Sequence, residues 1–100
     1  MRVTIKVEKA NTKVEYININ YIVVYNIFID DKQYAMLIHT AKNEQDDNNL
    51  IFAEVNNDYN NDYNIVSDKL DEQLGDIMHT YESLYKLRNE YISEFDYELF

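Results

Sequence analysis

The chain contains no cysteine, no proline, no tryptophan and a single glycine, Gly75, among its 100 residues. Without cysteine there is no disulfide, no thiolate metal ligand and no cysteine nucleophile. A phosphate-binding loop is excluded as well, because its backbone approaches the ligand only where several glycines stand together. No apolar run approaches the roughly 18 residues that a membrane span needs. These absences predict a cytoplasmic protein that does not bind a membrane.

Charge is distributed very unevenly along the sequence. Residues 1–42 hold six basic and four acidic side chains, whereas residues 43–100 hold three basic and fifteen acidic ones, and the formal net charge is −10. Such an imbalance repels nucleic acid and attracts basic protein surfaces. The sequence therefore predicts a protein that binds a basic protein surface and makes no direct contact with nucleic acid. The alternative is that the acidity only keeps the chain soluble.

The first two thirds of the sequence have the alternation of apolar and polar residues that is typical of strands. Val3, Ile5 and Val7 alternate with polar residues, and the strongest β signal extends from Tyr16 to Ile29. Both sets of alternate positions become apolar midway through this long segment, which predicts one bent strand or two strands that meet at a bulge near Asn20. Further predicted elements are a tight turn at 30–33, strands at 34–39 and 50–55, and an acidic loop at 42–49.

The tetrapeptide Asn-Asp-Tyr-Asn occurs twice in succession, at 57–60 and 61–64. We interpret it as a loop followed by a short strand at 65–66. A calcium loop is disfavoured, because Tyr63 stands where the sharp turn needs glycine and Lys69 where a bidentate glutamate should close the site. His39 and His79 have no metal-ligand spacing, and no serine has an adjacent histidine. The sequence predicts no metal, no cofactor and no enzymatic activity.

Apolar residues then recur at spacings of three and four up to Tyr91, which predicts a long amphipathic helix capped by Ser67 or Asp68. Gly75 inside it either allows close packing or is simply tolerated. The residues expected to face the sheet are Leu70, Leu74, Ile77, Tyr81 and Leu84.

These patterns predict one α+β domain, in which an antiparallel sheet of four to five strands precedes one long amphipathic helix packed on one face. The predicted divisions are a mainly β part at 1–66, the helix at 67–94 and an apolar tail at 95–100. The helix and the tail leave a homodimer open as an alternative to an intramolecular core.

Two acidic groups are candidate binding surfaces. The first is expected along one edge of the sheet, where strand residues of one face recur every ~6.6 Å. Carboxylates at this spacing can take the place of phosphates in a basic groove. Its members, predicted to bind the partner, are Glu44, Asp46, Asp47, Glu54, Asp58 and Asp62. The second is the outer face of the helix, with Asp71, Asp76, Glu82, Glu90 and Glu94.

The order of the elements also resembles a known family. The apolar strand 21–28, the segment 32–38, the acidic loop 43–47, the strand 50–53 and the Ile-Val pair at 65–66 carry the likeness. Together they resemble the short acidic YrzB-like proteins of Gram-positive bacteria over residues 14–85. The chain departs from that pattern at Ala41, where the family tends to have proline, and in its longer helix and tail. The resemblance implies a small αβ domain and transfers no site.

The leading hypothesis is a small acidic protein-binding module that occludes a nucleic-acid-binding protein by nucleic-acid mimicry. Phage and mobile-element inhibitors of host defence, such as anti-CRISPR proteins, act in this way. The alternative is a host-encoded acidic interaction protein of the YrzB-like kind, without nucleic-acid mimicry.

Overall fold

The computed structural model describes residues 2–10, 12–39, 50–56, 62–88 and 94–98, with the backbone alone for 84–88 and 94–98. Within these ranges one sheet of seven strands is accompanied by one helix. The predicted α+β class, with an antiparallel sheet and a helix on one face, is confirmed, although the sheet has more strands than expected. The elements are β1 (Arg2–Val7), β2 (Lys13–Tyr16), β3 (Ile19–Ile29), β4 (Lys32–His39), β5 (Leu50–Asn56), β6 (Asp62–Ile65), α1 (Asp68–Arg88) and β7 (Glu94–Glu98).

The strand order is β6-β5-β4-β3-β1-β7, and every pairing is antiparallel. β1 and β2 share one edge of β3, since β1 pairs with its second half and β2 with its first half. Two hydrogen bonds hold the chain at the junction, where the Glu8 N–H donates to the Val24 carbonyl and the Val23 N–H donates to the Thr12 carbonyl. β3 is therefore paired along both of its edges and organises the sheet.

The long β signal that begins at Tyr16 is divided by a turn, so the expected single strand is wrong. Tyr16 and Ile19 are cross-strand partners, and the two residues between them have positive φ angles, 49° at Ile17 and 60° at Asn18. Two successive positive φ angles define the type I′ turn, which matches the twist of a hairpin. A β-branched residue such as Ile17 rarely adopts this conformation, so no residue pattern predicted the turn.

The bulge in β3 lies at Val24 and not near Asn20 as predicted. Val23 is opposite Leu37 and Tyr25 is opposite Met36, so that Val24 is an extra residue. The insertion reverses which alternate positions face which side of the sheet. This explains why both sets of alternate positions are apolar in the middle of the segment.

The hydrophobic core on the first face of the sheet is formed by strands and helix together. The Leu70 N–H donates to Ser67 Oγ at 3.4 Å, which confirms the predicted cap. Of the residues expected to face the sheet, Leu70 is partly buried and Leu84 lies outside the described side chains. The helix α1 is described as far as Arg88. Residues buried in this core are Val3, Ile5, Ile27, Tyr34, Met36 and Phe52 from the strands and Leu74, Ile77, Met78 and Tyr81 from α1.

The second face of the sheet is buried by strand residues. Its core comprises Tyr21, Val23, Ala35, Leu37, Ala53 and Val55. Val14 of β2 and Tyr63 of β6 both pack against this core, although these strands belong to opposite sides of the sheet. The bulge at Val24 bends β3 beside this core, because an extra residue on one strand kinks it. We call this second face of the sheet the curled face.

Two predicted irregular segments are strands. The second copy of the tetrapeptide lies largely in β6 (Asp62–Ile65), so the loop predicted for this copy is wrong. The short strand predicted at 65–66 therefore begins earlier in the chain. The predicted tail at 95–100 contributes β7, which is antiparallel to β1 with Thr4 opposite Asp96. The segment thus completes the edge of the sheet within the same chain. In the described part of the chain, α1 lacks the apolar length needed to span a membrane.

Candidate protein-binding surface

The predicted edge cluster is described only in part. Glu44, Asp46, Asp47 and Asp58 lie outside the described residues. The two remaining members, Glu54 in β5 and Asp62 in β6, are both exposed.

Glu54 and Asp62 lie on the same face of the sheet. Glu54 is opposite Asn64, and Asp62 is opposite Asn56, so the two carboxylates belong to alternate cross-strand pairs, with the Val55–Tyr63 pair between them. Glu54 is also opposite Tyr34 on β4, a residue of the core beneath α1. Because cross-strand partners share a face, both carboxylates stand on the side of the sheet that carries α1.

The outer surface of α1 carries a dense row of carboxylates. Leu74, Ile77 and Tyr81 are buried on the opposite side, whereas the acidic residues are exposed, with Lys69 the one basic residue of 68–83. The five residues span about 21 Å at 1.5 Å per residue, so their mean spacing along the helix axis is about 5 Å. A single nucleic-acid strand carries one phosphate per about 3.4 Å of axis. The row consists of Asp68, Asp71, Glu72, Asp76 and Glu82.

Two of the expected members of this helical surface are not among the described residues of α1. Glu90 is outside the described residues, and Glu94 begins β7, so its prediction as a helix residue is wrong. Two carboxylates of the row also have a structural role, because Asp68 and Asp71 lie in the first turn and interact favourably with the positive end of the helix dipole. The part of the row beyond the first turn, Glu72, Asp76 and Glu82, has no such role.

Beside this row lies a groove between α1 and β5, which we call the α1–β5 groove. Its volume is about 230 Å³. Met36, Phe52 and Met78 are buried at its base, whereas Leu50 is 41% exposed. Gly75, His79 and Glu82 line it from the helix. The sequence did not predict this groove, because it depends on where α1 crosses the sheet.

A second, larger groove of about 490 Å³ lies near the β3–β4 turn. It is lined by charged residues of both signs, Asp31, Lys32 and Glu54, together with amides and the apolar Phe28 and Val55. Opposite charges side by side create no strong field of one sign. This groove is consequently a weaker candidate than the acidic surface of α1.

On the curled face, a small polar network connects the strands. Asn26 Nδ2 donates to Glu8 Oε2 at 3.1 Å, and Gln33 Nε2 donates to Asn26 Oδ1 at 3.2 Å. The Ala10 N–H donates to Glu8 Oε1 at 3.2 Å. Burial raises the pKa of the Tyr63 hydroxyl above its usual value, and the negative charge of Glu8 raises it further. The network connects the segment after β1 to β3 and β4.

The two histidines have different surroundings. The ring of His39 stands edge-on to Tyr21, with 5.6 Å between ring centroids, whereas His79 is exposed on α1. Within the residues that the structure describes, no three His, Asp or Glu side chains are grouped so that they could hold a metal ion.

Comparisons with known proteins returned no match to a family model, a curated protein or a solved structure.

Proposed function

We propose that the protein is a small acidic protein-binding module that occludes a nucleic-acid-binding protein, with the exposed face of α1 standing in for a phosphate backbone. The observation that carries the proposal is the carboxylate row on α1, in which one carboxylate per about 5 Å of axis compares with one phosphate per about 3.4 Å of a nucleic-acid strand. Glu54 and Asp62 extend the negative surface on the same side of the sheet.

A rigid acidic row competes well for a basic groove. The row is held by a helix whose opposite side is buried, so its carboxylates are fixed relative to one another before the partner arrives. Opposite charges also accelerate the encounter, and the attraction weakens with salt because exposed charges are screened over about 8 Å at physiological ionic strength. Inhibition of a phage-directed defence nuclease, as by anti-CRISPR proteins, is the biological role that we propose for such a competitor.

A second candidate function is an acidic interaction protein without nucleic-acid mimicry, of the YrzB-like kind. The apolar base of the α1–β5 groove favours it, because a pure phosphate mimic needs no apolar contact. In this case the partner would be recognised through its own apolar and basic side chains, whether or not it binds nucleic acid.

Charge reversal within the row tests the leading proposal. The variant Glu72→Lys with Asp76→Lys changes two exposed carboxylates beyond the first turn of α1. The matched control is Glu15→Lys with Asp31→Lys, which changes the net charge equally at exposed sites outside α1. Exposed substitutions usually alter the free energy of unfolding by no more than about 0.5 kcal/mol, so both variants should fold.

The assay is retention of nucleic-acid-binding proteins from the producing cell on the immobilised protein, followed by elution with short DNA or RNA duplexes. We expect the wild type and the control to retain a partner that nucleic acid elutes, and the α1 variant to lose it. Retention of the partner in the presence of saturating DNA and RNA would overturn the mimicry and leave the second candidate. Equal losses in both variants would show that total charge, and not the row, drives binding.

A further inference from the structure

We propose that the α1–β5 groove receives one large apolar side chain of the partner, presented within a segment that is otherwise rich in lysine or arginine. The inference deepens the proposed function and rests on it in one respect, namely that the partner is basic. It adds an apolar anchor point to the acidic row on α1.

Gly75 is the first observation that points to an occupant. It is the single glycine of the chain and stands in the interior of α1, where glycine disfavours the helix relative to alanine. No described residue requires a glycine here, because a Cβ at this position would meet none of their atoms within 4 Å and the φ angle of Gly75 is not positive. The glycine therefore keeps the groove open without serving the packing of α1 on the sheet.

The apolar surface at the groove is the second observation. Leu50 lines it and is 41% exposed, and its cross-strand partner Ile38 is 38% exposed on the same face of the sheet. Buried Met36, Phe52 and Met78 continue this surface inward. The volume of about 230 Å³ is below the roughly 300–1,000 Å³ of small-molecule sites, so the space suits one side chain better than a cofactor.

Charge at the rim identifies the chemistry of the occupant. Glu82 lines the groove, and Asp71 is exposed one helical turn before Gly75 on the same flank of α1. Among the described side chains that line it there is no lysine or arginine. An apolar side chain flanked by cations complements this groove in two ways. The apolar side chain is removed from water at the base of the groove, and the neighbouring cations face the carboxylates at its rim.

Tryptophan fluorescence provides a direct probe, since the protein contains no tryptophan. The probe is a synthetic oligolysine peptide with one central tryptophan, and its partner peptide has serine in place of the tryptophan. We expect the tryptophan peptide to bind the wild type with a blue shift of its emission and at least tenfold more tightly than the serine peptide. Equal affinities, or binding without a blue shift, would overturn the docking of an apolar side chain.

Two leucine substitutions on α1 locate the binding. Gly75→Leu fills the groove, and its Cβ enters open space, so the variant should melt at or above the wild-type temperature. Gln73→Leu places the same side chain at an exposed site that does not line the groove. We expect Gly75→Leu to remove the blue shift and weaken the tryptophan peptide at least tenfold, while Gln73→Leu preserves both. An unchanged blue shift in a folded Gly75→Leu protein would overturn the proposal.

The outcomes separate this inference from the proposed function. Salt-sensitive binding of both peptides with equal affinity would refute docking in the groove but would support the acidic row as a binding surface. Loss of the blue shift in Gly75→Leu would support docking in the groove. Failure of nucleic acid to elute the partner in the same protein would refute nucleic-acid mimicry. Absence of binding by either peptide would refute docking in the groove. The elution of the partner by nucleic acid would still test the proposed nucleic-acid mimicry.

Discussion

One face of the sheet is covered by α1, whereas the curled face carries a polar network, and the two faces leave different surfaces for binding. The helix buries Leu74, Ile77 and Tyr81 on one side and presents a row of carboxylates on the other. The curled face has its own buried core, and the network around Asn26 connects its strands. Both faces contribute to stability, but the candidate binding surface belongs to the helical side.

Comparison of the two faces also separates two uses of acidic residues. Glu8 on the curled side accepts hydrogen bonds from Asn26 and from the backbone of Ala10, so its charge is used within the fold. The carboxylates of α1 beyond the first turn, such as Asp76, are exposed to solvent. A negative charge that the fold employs is constrained by its partners, whereas an exposed row is available to an external basic surface.

The largest expected effect is on the helical side. Ile77→Asp would bury an unpaired carboxylate in the core beneath α1, where Ile77 is 3% exposed. An uncompensated buried charge costs about 3–5 kcal/mol, which approaches the whole stability of a small domain. We expect the variant to be unfolded by circular dichroism at 25 °C. Gln73→Asp, an exposed position on the same helix, is the matched control and should remain folded, and a cooperative native-like transition in Ile77→Asp would refute the position of α1 on the sheet.

A smaller change compares the two cores directly. Leu74→Ala removes buried volume beneath α1, and Leu37→Ala removes it from the curled face, both from fully buried residues. Large-to-small changes of this kind cost about 2–5 kcal/mol. We expect similar losses in urea unfolding, with the helical and tyrosine signals coinciding in each variant. Separate transitions would show instead that the two faces unfold independently.

The polar network of the curled face contributes less. Asn26→Ala leaves the side chains of Glu8 and Gln33 without the hydrogen bonds that they make to Asn26. The part-buried network should lose about 1–2 kcal/mol, measured as the difference in unfolding free energy. Asn64→Ala, at an exposed asparagine of β6, is the comparison variant. If both changes cost the same, the network does not stabilise the fold.

The smallest effect is confined to alkaline pH. Because the pKa of Tyr63 is raised in the folded chain, the unfolded chain loses this proton first as the pH rises above 10.0. The folded state then binds more protons, so the unfolding free energy falls from the unfolded pKa up to the folded pKa and is unaffected below that window. Tyr63→Phe should remove this part of the alkaline decline.

Glu8→Gln sharpens the same test. It should lower the pKa of Tyr63 only in part, because burial is the larger cause of the shift. NMR titration of isotope-labelled tyrosine measures the pKa directly. An unchanged pKa in Glu8→Gln would contradict the approach of Glu8 to Tyr63.

Much of the fold follows from periodicity in the sequence. The alternation at Val3 and Ile5, and the three- and four-residue spacing through Leu74 and Ile77, predicted β1 and α1 because burial of one face imposes these periods. The turn at Ile17 was missed because no glycine marks it, and its conformation is imposed by the pairing of β2 with β3. β7 was missed because five residues of alternating pattern after a helix carry little signal without their partner strand.

The candidate site was less accessible to sequence reasoning. Exposure of Asp71, Asp76 and Glu82 was predicted correctly, since they alternate with the apolar face of the helix. The placement of Glu54 and Asp62 on the helical side depends on the register of β5 and β6, which single strands do not reveal. The α1–β5 groove depends on a crossing of helix and sheet, and Gly75 alone did not distinguish close packing from open space.

The pairing of β1 with β7 has a consequence for how the protein is made. Residues near Thr4 are synthesised early, but their strand partners near Asp96 are among the last described residues to be added. Until then the outer edge of β1 has unpaired backbone groups, and such edges recruit other strands. We expect ribosome-bound chains that end before β7 to be cleaved by protease within β1 more rapidly than the completed chain. Protection of β1 before β7 has emerged would show that the edge is covered in another way during synthesis.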